Sequence, residues 1–347
     1  MVLLTLVYVV ATFALWLLAY SPLRSTWWTQ LLTLFSPWFF LPVPLLVALA
    51  WLNGTAASAY WLILPALLFG WEYGRYFLPK AKKGIQPQLA VSTAVPPTNL
   101  RVMTWNILYT NTNVKAALAA IQLQQPDVLA LQELGVTLAQ GLVAALATEY
   151  PYQMLHASDS PSGYGIFSRY PIPHSIPPKL HGDHHWCHEV TIALDGEKIT
   201  VINAHPRIPD IHLVRLAGIP IPVGFDTELQ DVQLRRLLQR VDQVRGRLLV
   251  MGDFNLSERQ PMYGEFACRL HDAQREAGWG LGFTFPTNLA ILDYFKVPIP
   301  ALPMLPFLRL DYIFYNDGWQ PLRTSSGRAA GSDHCYLVVD LQLVGCT

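Results

Sequence analysis

The chain has 347 residues, of which 52% are apolar and only 14% charged, with 24 basic and 24 acidic side chains. A soluble domain ordinarily carries roughly a quarter charged residues, so this composition argues against an ordinary soluble protein throughout, the alternative being a hydrophobic helix bundle inside a soluble fold. Residues 1–83 hold one acidic residue, Glu72, and five basic ones, Arg24, Arg75, Lys80, Lys82 and Lys83, leaving 19 basic and 23 acidic residues for the rest. That slightly acidic remainder argues against broad electrostatic capture of nucleic acid, which needs a basic footprint, although a local basic cleft stays open.

The N-terminal residues read as membrane sequence. Residues 2–20 run without a charge for about the ~20 residues that a helix needs to cross a hydrocarbon core. No Lys or Arg precedes them, as one would in the n-region of a cleavable signal peptide. A second apolar run covers 29–52 and contains Pro37, Pro42 and Pro44, which predicts a kinked or re-entrant element. A third covers 57–77. Trp27, Trp28, Trp51, Trp61 and Trp71 cluster at the ends of these runs, as in an interfacial aromatic belt. The expectation is a multi-pass cell-membrane protein with three spans in a membrane region 1–78, then a tether 79–98 rich in Lys, Pro, Ser and Thr, then one large domain 99–347. With three spans, the basic residues fall on the side of the large domain, which the positive-inside rule assigns to the cytoplasm.

In the large domain, short apolar runs at 100–104, 128–131, 165–167, 190–194, 199–203, 247–251, 310–315 and 335–343 predict buried strands. Helical spacing of apolar residues covers 113–124, ending before Pro126, and 225–245. Strands separated by helices, with hairpin-like pairs late in the chain, predict an α/β sandwich. None of the four cysteines, Cys187, Cys268, Cys335 and Cys346, forms a CxxC pair or a zinc spacing; isolated thiols are the simple reading.

Polar residues recur immediately after the predicted strands: Asn106, Glu133 after PDVLALQ, His205 after VINA, Asp253 and Asn255 in GDFN, Asp311 in RLDY, and Asp333 and His334 in GSDH. Strand ends are where layered α/β folds place their ligands. So many polar groups are expensive to bury together unless something compensates them, and a metal ion does. Asn106, Glu133 and Asp333 offer oxygen ligands, which suit Mg²⁺ or Mn²⁺ better than zinc. Asp253 is the candidate for orienting or deprotonating water, and Asn255 for donating to a phosphoryl oxygen. His205 or His334 would stabilise or protonate the phosphoryl group, with Asp311 fixing the tautomer of His334. A histidine-dense stretch, HGDHHWCHE at 181–189, is either a transition-metal cluster or, more simply, a surface loop.

In this order, TWN at 104–106, QE at 132–133, GDFN at 252–255, RLDY at 309–312 and SDH at 332–334 resemble the signatures of the endonuclease/exonuclease/phosphatase superfamily. That superfamily includes pancreatic-type deoxyribonuclease, abasic-site endonucleases, inositol polyphosphate 5-phosphatases and neutral sphingomyelinases. The resemblance implies a four-layer α/β/β/α sandwich, here preceded by transmembrane helices, with the site at one edge of two packed sheets. It implies Asn106 and Glu133 in the metal site with Asp333 beside it, Asp253 and Asn255 at the phosphate and water, and a His334–Asp311 pair. His205 matches the second histidine of the deoxyribonuclease-like and sphingomyelinase-like branches. A second LDY, Leu292-Asp293-Tyr294, lacks the preceding Arg and the following Ile-Phe, and Asp293 is assigned no role. YGIFSRYPI at 164–172 resembles the family's Ser-Arg strand; Arg169 there either reaches a phosphate or makes a structural ion pair.

The resemblance implies a phosphoester hydrolase, and two apolar, proline-rich inserts bear on the substrate. Residues 206–225 follow His205 and residues 291–308 precede RLDY; they either cover extra core or form a rim that faces the bilayer and admits a lipid-linked phosphoester. Short membrane spans with His205-Pro206 also resemble a bacterial branch including teicoplanin-resistance membrane proteins, which implies an extracytoplasmic domain acting near polyprenyl phosphates, opposite to the charge count. A membrane-tethered nuclease and a non-catalytic binding domain of the same fold are the alternatives.

Overall fold

The structure is a computed structural model that describes residues 1–78, 80, 99–176, 186–217, 219–289 and 302–344. Apart from Lys80, the expected tether lies outside the described residues, as do His181, His184, His185, the Leu292-Asp293-Tyr294 segment and most of the second apolar insert. The chain forms two compact units, one of Met1–Pro79 with Asp210–Asp226, the other of Lys80–Pro209 with Thr227–Thr347.

The larger unit contains two six-stranded sheets. The first has β1 (Asn99–Asn106), β2 (Val128–Gln132), β3 (Tyr152–His156), β4 (Tyr164–Ser168), β13 (Trp319–Gly327) and β14 (Tyr336–Leu343), in the order β13-β14-β1-β2-β4-β3. The second has β5 (His174–Ile176), β6 (Cys187–Leu194), β7 (Glu197–Ala204), β10 (Arg247–Asp253), β11 (His271–Asp272) and β12 (Asp311–Tyr315), in the order β11-β12-β10-β7-β6-β5. The central strands β2, β10 and β12 are buried along their whole length, which is why they read as short continuous apolar runs rather than alternating ones.

Alternation along the strands assigns the faces. On β1, Leu100 and Val102 join Val128 and Ile166 in one core with Val190, Val201, Leu249, Met251 and Ile313 of the other sheet, so the two sheets pack face to face. Met103 and Trp105 turn the other way, onto α5 (Val114–Gln124) and α6 (Val136–Leu146). The second sheet's outer face, with Ile202, Val250, Tyr312 and Phe314, carries α7 (Glu228–Gln243) and α8 (Pro261–Ala267). The layering is therefore α/β/β/α. A polar bridge crosses the inner core: Gln132 Nε2 donates to Asn203 Oδ1 at 2.7 Å and to Thr104 Oγ1 at 3.0 Å, and Asn203 Nδ2 donates to the Leu131 carbonyl at 2.9 Å.

The smaller unit is apolar on the outside. Thr5, Thr12, Thr29 and Ser58 are buried, while Leu3, Leu4, Val7, Val10, Trp51 and Trp71 are exposed. Helix α1 (Val2–Tyr20), 19 residues long, is long and apolar enough to cross a membrane. The second expected span is α2 (Trp27–Leu34) followed by Ser36–Leu52, which includes α3 (Pro42–Leu52), with a bend of 63° between the two parts. The third divides into a 3₁₀ segment, Ala56–Leu62, and α4 (Ile63–Tyr73), only 11 residues long. A proline at Pro65 lacks the N–H and crowds the carbonyl four residues back, so α4 cannot be extended backwards as regular helix. The described residues thus contain one such spanning helix, or two if the bent pair is counted, rather than three. The first apolar insert is also ordered differently from a loop: β8 (Asp210–Leu216) and β9 (Ile219–Asp226) form a hairpin.

Candidate active site

The registers carry the polar strand ends to one edge of the sandwich. Asn106 lies opposite Gln132, the residue before Glu133, in parallel β1 and β2. Gly252 pairs with Ala204, the residue before His205, and Asp253 pairs with Asp311. The approach of β10 to β7 is close enough that a Cβ at Gly252 would fall 1.9 Å from the Ala204 carbonyl oxygen; only glycine fits there. Glu133 and Asn255 both sit in the left-handed region, at φ +52° and +48°, a conformation that costs on the order of 1 kcal/mol or more for such residues and recurs at functional sites.

Asp253, 1% exposed, is the hub. Its Oδ2 accepts from Asn106 Nδ2 at 3.0 Å and lies 3.6 Å from both His205 Nε2 and His334 Nε2. His205 Nε2 is also 3.7 Å from Glu133 Oε1. His334 Nδ1 contacts Asp311 Oδ2 at 2.9 Å, which leaves Nε2 facing Asp253. Ser332 joins this loop to β1, donating to the Asn106 carbonyl at 2.7 Å and accepting from the His334 N–H at 3.0 Å. Burial alone would lower the pKa of His334, but the carboxylates of Asp311 and Asp253 override it and hold it up at about 10. These carboxylates favour the charged, donating form of the imidazole. Burial pushes the Asp253 carboxyl above its ordinary value, despite the opposing charges of His334 and His205.

Asp333 is raised for the same first reason, burial, with the charges of Glu133 and Asp253 adding to it. Its Oδ1 is buried without a hydrogen-bond partner. An ionised oxygen left in that state is costly, by more than the roughly 1–3 kcal/mol of a neutral group. The carboxylates of Asp253, Asp311 and Asp333 act on the His334 imidazole, Glu133 lies against His205, and the oxygen donors of Glu133 and Asp333 suit a hard divalent cation. Asn106 differs from the expectation of an oxygen ligand: its Nδ2 donates to Glu133 Oε1 at 2.9 Å as well as to Asp253, and its Oδ1 accepts from the Leu108 N–H at 3.1 Å. Atoms of Asp253, Asp311 and His334 also lie within 4.8 Å of one another, close enough that the three could hold a metal ion.

Residues 103–334, more than half of the chain, match the sequence model of the Endonuclease/Exonuclease/phosphatase family. The chain belongs to that family. A comparison with curated proteins gives no match. Among solved structures, a family protein from Bacteroides vulgatus aligns with a TM-score of 0.53 and 18% identity, covering 71% of this chain and 100% of that one. Humanized D. rerio TDP2 aligns at 0.52 and 17%, covering 70% and 98%. The human Nocturnin catalytic domain with a bound sulfate anion aligns at 0.50 and 20%, covering 72% and 94%. At these identities the likeness is one of fold. Members of the endonuclease/exonuclease/phosphatase family are generally metal-dependent hydrolases of phosphoesters.

One edge of the sandwich thus gathers Asn106, Glu133, His205, Asp253, Asp311, Asp333 and His334. Asn255 stands behind it: Nδ2 donates to the Pro206 carbonyl at 3.0 Å, and its N–H to Asp253 Oδ1 at 2.8 Å. It steers the turn after His205 and holds Asp253. Arg169 pairs with Glu149 and, at 3.4 Å, with Asp127, beside the Tyr150 ring; of its two readings the structural one holds. His188, from the histidine-dense stretch, contacts Ser175 Oγ at 3.0 Å through Nε2. Three supports were not read from the sequence. Gln230 on α7 donates to the Asn255 carbonyl at 2.7 Å, Arg309 is buried against Asp272 at 2.5 Å, and the Phe285 ring lies 4.5 Å from that of His334. Only Arg309 had a signal, its place in RLDY.

Proposed function

We propose that the chain is a membrane-held, divalent-metal-dependent phosphoester hydrolase whose substrate is lipid-linked, a membrane lipid or polyprenyl phosphate derivative. One observation carries the chemistry: an imidazolium, His334, held between Asp311 and Asp253, beside a buried Asp333 oxygen that has no partner. A Mg²⁺ or Mn²⁺ ion held by Glu133 and Asp333, with Asn106 at its margin, would neutralise charge on the phosphoryl oxygens. Asp253, raised by burial, takes a proton from the attacking water as the water oxygen bonds to phosphorus, while the P–O ester bond breaks and the leaving oxygen takes a proton from solvent. His334, already protonated, donates to the phosphoryl group, and Asp311 keeps that proton in place by accepting from Nδ1. His205 faces the same space from the opposite strand, and Asn255 holds both it and Asp253 in register.

The lipid assignment is supported by the outward-facing apolar residues of the smaller unit, by α1, and by exposed Leu302 and Leu305 before RLDY. The test is hydrolysis by detergent-solubilised full-length protein with Mg²⁺, offered phospholipids, a polyprenyl pyrophosphate, DNA and bis-p-nitrophenyl phosphate. Turnover of a lipid, lost by about 10²–10⁴ in Asp253→Ala and His334→Ala, is the expected result. Cleavage of DNA alone would replace the lipid reading with a tethered nuclease, and no turnover of any phosphoester would leave a binding domain.

A further inference from the structure

The hairpin β8–β9 is hydrogen-bonded to neither six-stranded sheet. It belongs instead to the compact unit of residues 1–79, where β9 lies against α2. A hairpin with one face in water alternates polar residues on that face. Here Val214 lies directly opposite Ile221, and Leu216 opposite Ile219, so the four share one face near the tip. All four are exposed, Leu216 by 67% and Ile219 by 65%. From Leu216 to Phe225 the sequence contains no charged residue.

The backbone points the same way. Pro220 pairs with Arg215 and Pro222 with Leu213. Proline has no N–H, so within a ladder it sits only where the strand's N–H faces away from its partner. In water such outward donors are simply hydrated. In a lipid environment each unsatisfied one costs several kcal/mol. β9 has two of them deleted, at alternate positions of the same edge. The unit that holds the hairpin exposes many large apolar side chains, among them Leu3, Leu4, Val7, Val10, Trp51 and Trp71, while Thr5, Thr12, Thr29 and Ser58 are buried beside its apolar core.

We propose that the tip of the β8–β9 hairpin is seated in the interfacial region of the bilayer, as a second membrane-inserted element in addition to α1. The proposal rests on the reading that the N-terminal unit lies in a membrane, and not on the identity of the substrate.

The test uses the full chain with Cys268→Ser and Cys346→Ser, reconstituted into phosphatidylcholine vesicles. An environment-sensitive fluorophore is placed by Leu216→Cys, by Ile221→Cys, or, as an exposed control in the larger unit, by Lys198→Cys. Brominated acyl chains should quench the labels at 216 and 221 severalfold more than the label at 198, and aqueous iodide should do the reverse. Iodide quenching at 216 and 221 equal to that at 198 would overturn the proposal. So would protection from both quenchers, the outcome expected if a second copy of the chain covers this face. Because fluorescence is read without turnover, loss of lipid hydrolysis with the quenching pattern intact would remove the substrate reading alone.

Discussion

Replacing Asp311 by Asn tests the electrostatics on which the site depends. In the native arrangement His334 is held at about 10 against an ordinary value of 6.5, even though its burial works in the opposite direction. That difference corresponds to on the order of 5 kcal/mol in favour of the charged imidazole. Asp311, 2.9 Å from Nδ1, is the larger of the two main charges opposing burial, ahead of Asp253. In Asp311→Asn the burial remains and that charge goes, so the pKa of His334 should fall by several units, to the neutral range or below. The sign for stability follows. A raised folded-state pKa stabilises the protein fully below about 6.5, and that contribution is lost as pH rises through about 10. The wild type should therefore lose thermal stability across this window, and the variant should lose less. The assay is ¹⁵N-histidine NMR of the full-length protein in detergent, titrated from pH 5 to 11. A His334 resonance that titrates at or below 6.5 in the wild type would refute the argument. Hydrolysis in the variant should drop by about 10²–10³ through loss of the positioned donor.

The other expectations concern packing and substrate access. Gly252→Ala forces a methyl group onto the Ala204 carbonyl and should destabilise the larger unit by about 1–3 kcal/mol or more, read as a lower melting temperature. Asn203→Ala removes the hydrogen bonds that Asn203 makes to Gln132 and the Leu131 carbonyl in the inner core, at about 1–3 kcal/mol, without abolishing metal binding measured by calorimetry. Leu302→Ser with Leu305→Ser should impair lipid hydrolysis and leave bis-p-nitrophenyl phosphate hydrolysis unchanged; equal effects on both would show that these exposed residues serve the core instead. Chelation by EDTA should abolish hydrolysis, with recovery on adding Mg²⁺ or Mn²⁺.

The strands of the sandwich and the residues at their ends were legible because both leave local marks. A central strand covered on both faces is a short apolar run, and the polar residue that follows it has no packing reason to be there. The expected strand segments 128–131, 199–203 and 247–251 lie inside β2, β7 and β10 for that reason. The hairpin was not legible, since Ile-Pro-Ile-Pro reads as loop unless the outward direction of each N–H is known. Three spans were expected from hydropathy, which does not register how Pro37 and Pro65 divide helices. The buried Arg309–Asp272 pair joins residues 37 apart in sequence, and no periodicity relates them. The motif carries no information on which end of the Asn106 amide faces its neighbours; here Nδ2 faces the carboxylates of Glu133 and Asp253.

The position of β1 also has a consequence in time. It is an interior strand of its sheet, and one of its two neighbours is β14, with Asn99 opposite Gln342. Asp333 and His334 come just ahead of β14 in the chain. On a ribosome adding about 5–20 residues per second, that flank of β1 stays open for on the order of ten seconds or more. An unpaired edge is a template for pairing with other chains. For most of this interval the nascent chain has neither Asp333 and His334 nor a closed sheet. Synthesis of the final strand, just after Asp333 and His334, covers this flank of β1 and so removes an aggregation-prone edge.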